Sequence, residues 1–244
     1  MSRKRLILLP GLAADERMFA RLAELPVELV TPRLLIPENG EHMVSYARRH
    51  AEWLNIGDND VVGGCSFGSM VASEICRQQS PRALVLLSGA LSSDALVSSS
   101  HQLHKFARCL PFHLVRRILM SSFFLHKVFG EAELADIELG REMIAETPRE
   151  LLLRGSTLAT GYRSDEPIGC EIFSLHGGQD RVINPPQIDQ GEILDGAGHG
   201  MVVSHADEVS RFLRKVCGEV WLGGCPTIGG VARNRMGEGS FSQV

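Results

Sequence analysis

The sequence predicts an α/β fold: an open, mainly parallel sheet of about six strands, helices on both faces, and a helical insertion between strands four and five. Three observations carry this reading. Short, nearly continuous apolar runs recur along the 244-residue chain, and such runs suit strands buried on both faces. Stretches with apolar residues at helical spacing lie between them. After Gly89 the alternation stops, and from about Leu91 to Tyr162 no strand pattern appears before it resumes at Glu171.

The elements follow in order. Arg5 to Leu9 is an apolar run closed by Pro10-Gly11, a buried first strand. Asp15 to Leu25 has helical spacing, with Met18, Leu22, Leu25 and Phe19 on one face. Val27 to Val30 is a second strand. Met43 to Leu54 is a helix whose inward residues are read as Val44, Ala47, Ala51 and Leu54. After the turn Gly57-Asp58-Asn59-Asp60, Val61-Val62 opens a third strand and Phe67 to Gln79 a helix. Ala83 to Leu87 is a fourth strand. Helices are expected over Ser99 to Cys109, Pro111 to Phe124, Glu133 to Glu146 and Pro148 to Ala159, with Pro111 and Pro148 suited to first helical turns. Glu171 to Leu175 and Gly191 to Leu194 are strands five and six, and a last helix begins at Met201 or Ala206 and ends near Cys217. The remainder, Gly218 to Val244, is rich in Gly and small polar residues and reads as a peripheral tail. The organisation is therefore a core of residues 1–90 and 163–217, a helical cap of 91–162 and a tail of 218–244.

Composition narrows the function classes. Hydrophobic residues make 44% and charged residues 22%, with a net charge of −4. Such a chain can build one domain with a large core, and it carries no overall basic excess of the kind nucleic-acid binders show. The apolar run after the basic Met1-Ser2-Arg3-Lys4-Arg5 ends too early, at Pro10, for a signal peptide, and no run reaches the length of a membrane span. Six cysteines show no paired metal spacing and are too sparse for a disulfide scaffold, so reduced thiols and a cytoplasmic location are expected. No metal, cofactor or nucleic acid is expected as a partner, and no stable membrane insertion.

The most informative stretch is Gly64-Cys65-Ser66-Phe67-Gly68, a G-x-S-x-G pattern between a strand and a helix. It demands a tight turn with Ser66 at its apex, in a strained conformation that its glycine neighbours make sterically possible. The hydroxyl then stands at a helix N-terminus, where free N–H groups favour developing negative charge. Two further residues follow the ends of predicted strands: Asp180 in His176-Gly177-Gly178-Gln179-Asp180, and His199 in Gly196-Ala197-Gly198-His199. In an open parallel sheet those ends share one rim, so residues distant in sequence can converge there. Asp94, beyond the fourth strand, is a second candidate for the acid, because the span from Asp180 to His199 leaves room for little more than a turn at Asn184-Pro185-Pro186-Gln187-Ile188. His176 is read as a structural histidine bonding its loop, His205 as a surface or capping residue, and Cys65 as a small buried filler.

With the Pro10-Gly11 turn and the order Ser66…Asp180…His199, these motifs resemble those of α/β-hydrolase fold proteins that carry a helical cap, over roughly residues 5–217. The resemblance implies a serine hydrolase cleaving a small ester, thioester or related acyl substrate. Ser66 would be the nucleophile, His199 the base, Asp180 its orienting acid, and the backbone N–H groups of Leu12 and Phe67 the oxyanion hole. Where many relatives carry His-Gly after the first strand, this chain has Pro10-Gly11. An acyltransferase, a C–C or C–CN bond-cleaving enzyme on the same triad, and a non-catalytic ligand-binding protein of this fold are the alternatives.

Overall fold

The computed structural model describes residues 3–98, 102 and 110–222. Six strands form one sheet: β1 (Arg5–Leu9), β2 (Glu28–Val30), β3 (Val61–Cys65), β4 (Ala83–Leu87), β5 (Glu171–Gly177) and β6 (Gly191–Leu194). Their order is β2-β1-β3-β4-β5-β6, and every neighbouring pair is parallel. The order reverses between β1 and β3, and such a switch point opens a crevice beyond the strand ends.

Period-two alternation divides the core between the faces. Leu6, Leu8, Val61, Ala83, Val85 and Leu87 point to one side, where Met18, Phe19 and the last helix, α8 (Ala206–Leu222), cover them. Leu9, Val62, Leu84 and Leu86 point to the other, against α1 (Met43–Leu54), α2 (Phe67–Gln78) and α6 (Arg149–Gly161). β3 and β4 are buried along their whole length, as continuous apolar runs require. Between β4 and β5 lie α3 (Phe112–Leu119), α4 (Ser122–Phe129), α5 (Leu134–Glu146) and α6; a short α7 (Met201–Ser204) precedes α8.

Several expectations are corrected. Asp15 to Leu25 is not a helix but a single 3-10 turn, Glu16–Phe19, followed by irregular chain. Asp15 accepts from the Arg17 N–H and grips its guanidinium, and the Ala23 amide donates to Ser210 Oγ on α8 instead of continuing a helix. Met18, Phe19 and Leu25 are nevertheless buried and Leu22 packs against the same core. In α1 the inward residues are Met43, Tyr46, Ala47, His50 and Ala51, while Val44 is exposed. The expected helix Pro111 to Phe124 is two helices broken at Met120-Ser121, where Ser121 Oγ accepts from the Phe124 N–H and caps α4. Pro111 and Pro148 are N-caps, one position before the first turn. The last helix runs past Cys217 to Leu222, with Trp221 packed on the core, so residues 218–222 are not tail. The expected helix at Ser99 to Cys109, and residues 223–244, lie outside the described residues except for residue 102.

Candidate active site

Ser66 sits at the junction of β3 and α2 with φ 54° and ψ −119°, in left-handed space that a side chain rarely adopts. The sequence forces this by removing side chains around it. A Cβ on Gly64 would lie 2.7 Å from the Leu9 carbonyl oxygen and 2.6 Å from the Gly68 carbonyl carbon. One on Gly68 would lie 2.2 Å from the Leu9 oxygen. α2 can therefore start directly against β1 only with glycine at both positions. Ser69 completes the turn: its Oγ donates to the Ser66 carbonyl at 2.5 Å and accepts from the Ala90 N–H at 2.9 Å.

His199 follows β6 through the turn at Gly196 (φ 78°). Its loop is held by the helical segment. Gly130, at the end of α4, bridges Ala197, and the Gly200 N–H donates to the Val128 carbonyl at 3.2 Å. His199 Nε2 is 2.8 Å from Ser66 Oγ, and its Nδ1 is 2.7 Å from Asp180 Oδ2. The short span from Asp180 to His199 thus does not keep the two apart. Asp94, the other candidate, is exposed and paired with Arg163 at 3.1 Å.

The Asp180 side chain is buried and fully engaged. Oδ1 accepts from the Val182 and Ile183 N–H groups at 2.8 and 3.0 Å. Oδ2 takes His199 and, at 3.2 Å, His176 Nε2, which also bonds the Ile183 carbonyl at 3.0 Å. His176 does bond its loop, as expected, but it also reaches the acid, and no sequence signal separates those two roles. Its Nε2 faces two acceptors and so carries the proton. Its buried Nδ1 has no partner among the described residues. Burial alone would push the Asp180 carboxyl up. The His199 charge, the hydrogen bonds from both imidazoles and the Ile183 amide outweigh it and hold the carboxyl well below the usual carboxylate range. With the acid ionised, Nδ1 of His199 keeps its proton and Nε2 presents a lone pair to Ser66.

The other expected parts can be placed. The loop after β1 crosses beside Ser66: a Cβ on Gly11 would lie 3.7 Å from Ser66 Cβ, and the Ala14 N–H closes a turn onto the Gly11 carbonyl at 3.1 Å with Leu12 inside it. Phe67 is the first residue of α2. The Leu12 side chain and the Phe67 ring both rest against Gly155 of α6. Cys65 is buried, and burial pushes its thiol up, so it stays protonated beside the serine. His205 caps the junction of α7 and α8, paired with Ser204 Oγ at 2.9 Å. Among the described residues no group of three or more His, Cys, Asp or Glu could hold a metal ion, and no helix is long and apolar enough to cross a membrane.

No protein-family model matches this chain, and no curated protein matches it. Solved structures do. A thermophilic esterase from Thermogutta terrifontis aligns over 90% of this chain and 91% of its own, with TM-score 0.72 and 18% identity. A structure reported with carboxylesterases of the thaumarchaeon Nitrososphaera gargenis covers 89% and 91%, with TM-score 0.65 and 16% identity. The RedJ thioesterase from the prodiginine biosynthetic pathway in Streptomyces coelicolor covers 88% and 93%, with TM-score 0.58 and 16% identity. Identities this low speak to architecture, and with the parallel six-stranded sheet and the glycine-flanked turn at Ser66 they establish that the chain has the α/β-hydrolase fold.

Proposed function

We propose that the protein is a serine hydrolase acting on a small ester or thioester, with Ser66, His199 and Asp180 as its catalytic triad. One observation carries the reading: an unbroken hydrogen-bond chain from Ser66 Oγ through both nitrogens of His199 to an ionised, buried carboxylate. His199 Nε2 takes the Ser66 proton as Oγ attacks the acyl carbonyl carbon. The Phe67 and Leu12 N–H groups hold the oxyanion. The tetrahedral species collapses, Nε2 gives its proton to the departing alkoxide or thiolate, and an ester on Ser66 remains. Water, deprotonated by the same nitrogen, then releases the acid and restores the serine. Asp180 keeps the imidazole tautomer and stabilises its cation throughout. Residues 91–162 act as a cap over this rim. The contacts of α4 with the His199 loop, and of α6 with Leu12 and Phe67, support that role.

The test is active-site labelling beside hydrolysis of a short-chain p-nitrophenyl ester. A fluorophosphonate labels the wild type and neither Ser66→Ala nor His199→Ala. Asp180→Asn lowers turnover by about 10⁴-fold, the loss expected when the base has the wrong tautomer. Undiminished labelling of Ser66→Ala would remove the nucleophile. A larger loss in Asp94→Asn than in Asp180→Asn would reassign the acid.

A further inference from the structure

From Ala95 to Gly130 the chain holds five cations (Lys105, Arg108, Arg116, Arg117, Lys127) and four of its nine histidines, yet no Asp or Glu, although the whole chain has a net charge of −4. The described part of this stretch forms α3 and α4, and two open hollows lie on these helices. One, of about 640 Å³, is lined by His113, Arg116, Arg117 and Arg141 with Phe112 and Met120. The other, of about 650 Å³, is lined by Ser122, Phe123, His126, Lys127 and Arg181. Ser122 borders both, and neither is lined by a carboxylate.

Of the five cations lining the hollows, two are engaged, Arg116 also over the Phe112 ring at 4.7 Å, and three are without an ion-pair partner among the described residues. Arg141 is engaged with Glu138 and Ser122. Arg117, Lys127 and Arg181 form no ion pair among the described residues, and Arg116 Nε is buried without a partner while its Nη2 meets the Thr147 carbonyl. Like charges gathered with a single carboxylate, Glu138, paired among them repel, so this arrangement favours an added anion. Phe123, 83% exposed and lining the same hollow as His126 and Lys127, adds a flat apolar face beside the charges.

Position says which part of a substrate would meet these groups. Arg181 follows Asp180 directly, and Lys127 precedes Val128, whose carbonyl holds the loop of His199 through Gly200. A leaving group is protonated by His199 Nε2 and so departs on the His199 side. The acyl group stays on Ser66, in the crevice.

We infer that this face takes phosphate groups on the leaving side of the substrate, so that the site prefers acyl thioesters of a small phosphorylated thiol. The inference rests on the hydrolase reading for the reaction, but not for the binding. In the reaction the acyl C–S bond breaks, water supplies the oxygen of the new acid, and the thiolate leaves with the proton from His199. Lys and Arg hold phosphate through charge-assisted hydrogen bonds, which an open face can supply.

The experiment compares octanoyl-coenzyme A with the octanoyl thioester of N-acetylcysteamine, which has the same acyl group and thioester bond but no phosphate. Wild type shows kcat/KM at least tenfold higher for the coenzyme A substrate at low salt, and the ratio shrinks as ionic strength rises. The double variant Arg117→Glu/Lys127→Glu lowers that ratio at least tenfold, whereas Arg48→Glu/Arg211→Glu, with the same change in net charge elsewhere, keeps it. Calorimetry with coenzyme A and the Ser66→Ala protein detects binding that the Arg117→Glu/Lys127→Glu change abolishes. If wild type cleaves no ester while Ser66→Ala binds coenzyme A, the hydrolase reading fails and the phosphate site stands. If both thioesters are cleaved equally well and coenzyme A does not bind, the phosphate site is overturned and the hydrolase stands. Binding to vesicles of anionic phospholipid, or cleavage of acyl groups only from an acidic carrier protein, without binding of coenzyme A, also overturns it.

Discussion

The glycines of the turn at Ser66 and those of the helical segment between β4 and β5 are crowded by different things. At the turn they face backbone. A Cβ on Gly63 would lie 2.5 Å from the Val85 carbonyl oxygen, and one on Gly68 would lie 2.2 and 2.4 Å from the Leu9 and Pro10 oxygens. Inside the helices α5 and α6 they face side chains: the Phe129 ring at 2.8 Å from Gly140 and the tip of Leu12 at 2.3 Å from Gly155, while Gly130, after α4, faces the Gly198 backbone at 3.0 Å. Burial differs most between the sheet centre and α3. Every residue of β3 and β4 is buried, whereas α3 has no buried residue. Backbone in a sheet can move only with its whole strand, while a side-chain tip can rotate. The turn is therefore built to hold one geometry, while the faces of α5 and α6 can tolerate several.

The sharpest way to break this comparison is Gly68→Ala. The added methyl meets the ends of β1, so strand and helix must separate. The expected loss is at least about 3 kcal/mol of unfolding free energy, from overpacking against atoms that cannot rotate away. Chemical denaturation reads it directly. A loss below about 1 kcal/mol would mean that the turn adapts as easily as a helix surface does.

The pH response of stability should also belong to the core. His50 is fully buried; its Nδ1 donates to the Tyr46 carbonyl at 2.9 Å and its Nε2 accepts from the Leu35 N–H at 3.2 Å. A second proton would face that N–H, and burial pushes the imidazole down from 6.5 to about 4. Between those values the unfolded chain binds the proton and the folded chain does not. Stability is then full above pH 6.5 and falls as pH drops toward 4, by on the order of 3 kcal/mol in total. Asp180, with its lowered carboxyl, adds a loss only below the ordinary carboxylate range of about pH 4. Histidines 113 and 126 on the helical segment are exposed. Urea midpoints at pH 7 and pH 4 for wild type and His50→Gln measure the contrast: the variant starts lower and slopes less between these values. An unchanged slope would place the titrating group elsewhere.

A smaller effect is expected at His176, which supports the rim from below. Replacing it with Phe deletes one of the four hydrogen bonds to Asp180 while keeping the volume apolar. A hydrogen bond to a charged group contributes about 1.5–3 kcal/mol, so kcat should fall by roughly 10- to 100-fold. KM should change little, because His176 is buried beneath the acid. Equal losses in kcat and in folding stability, with a raised KM, would make it a packing residue only.

Much of this was legible in the chain. Strands whose neighbours bury both faces must be apolar throughout, so Arg5 to Leu9 and Ala83 to Leu87 could be read to the residue. Ser66, Asp180 and His199 could be placed together because parallel strands end on one rim, whatever the sequence distance. Failures occur where a tertiary partner decides. Residues 20–25 keep their apolar spacing but lose the helix to Ser210 on a helix nearly two hundred residues later. Val44 sits at a helical position whose burial depends on which face α2 covers. His176 shows no spacing that distinguishes a bond to a loop carbonyl from a bond to the acid. The basic face was hidden for another reason: a net charge summed over the chain averages a local excess against acids elsewhere.

The mildest perturbation tests the tolerant side of the comparison. Gly155 lies within α6, where alanine is favoured over glycine by up to about 1 kcal/mol. The new methyl would meet only Leu12 Cδ1 at close range, the far end of a side chain with other rotamers open to it; the next atoms are 3.6 Å or more away. The two effects oppose each other, so Gly155→Ala should change stability by less than about 1 kcal/mol in either direction. Leu12 also belongs to the loop proposed to hold the oxyanion, so displacing its side chain without moving its backbone should leave ester turnover within about fivefold of wild type, or about 1 kcal/mol in the barrier. A loss approaching that of Asp180→Asn would show that α6 sets the position of the Leu12 amide itself. The helical segment would then be part of the rigid catalytic frame, not a replaceable surface laid over it.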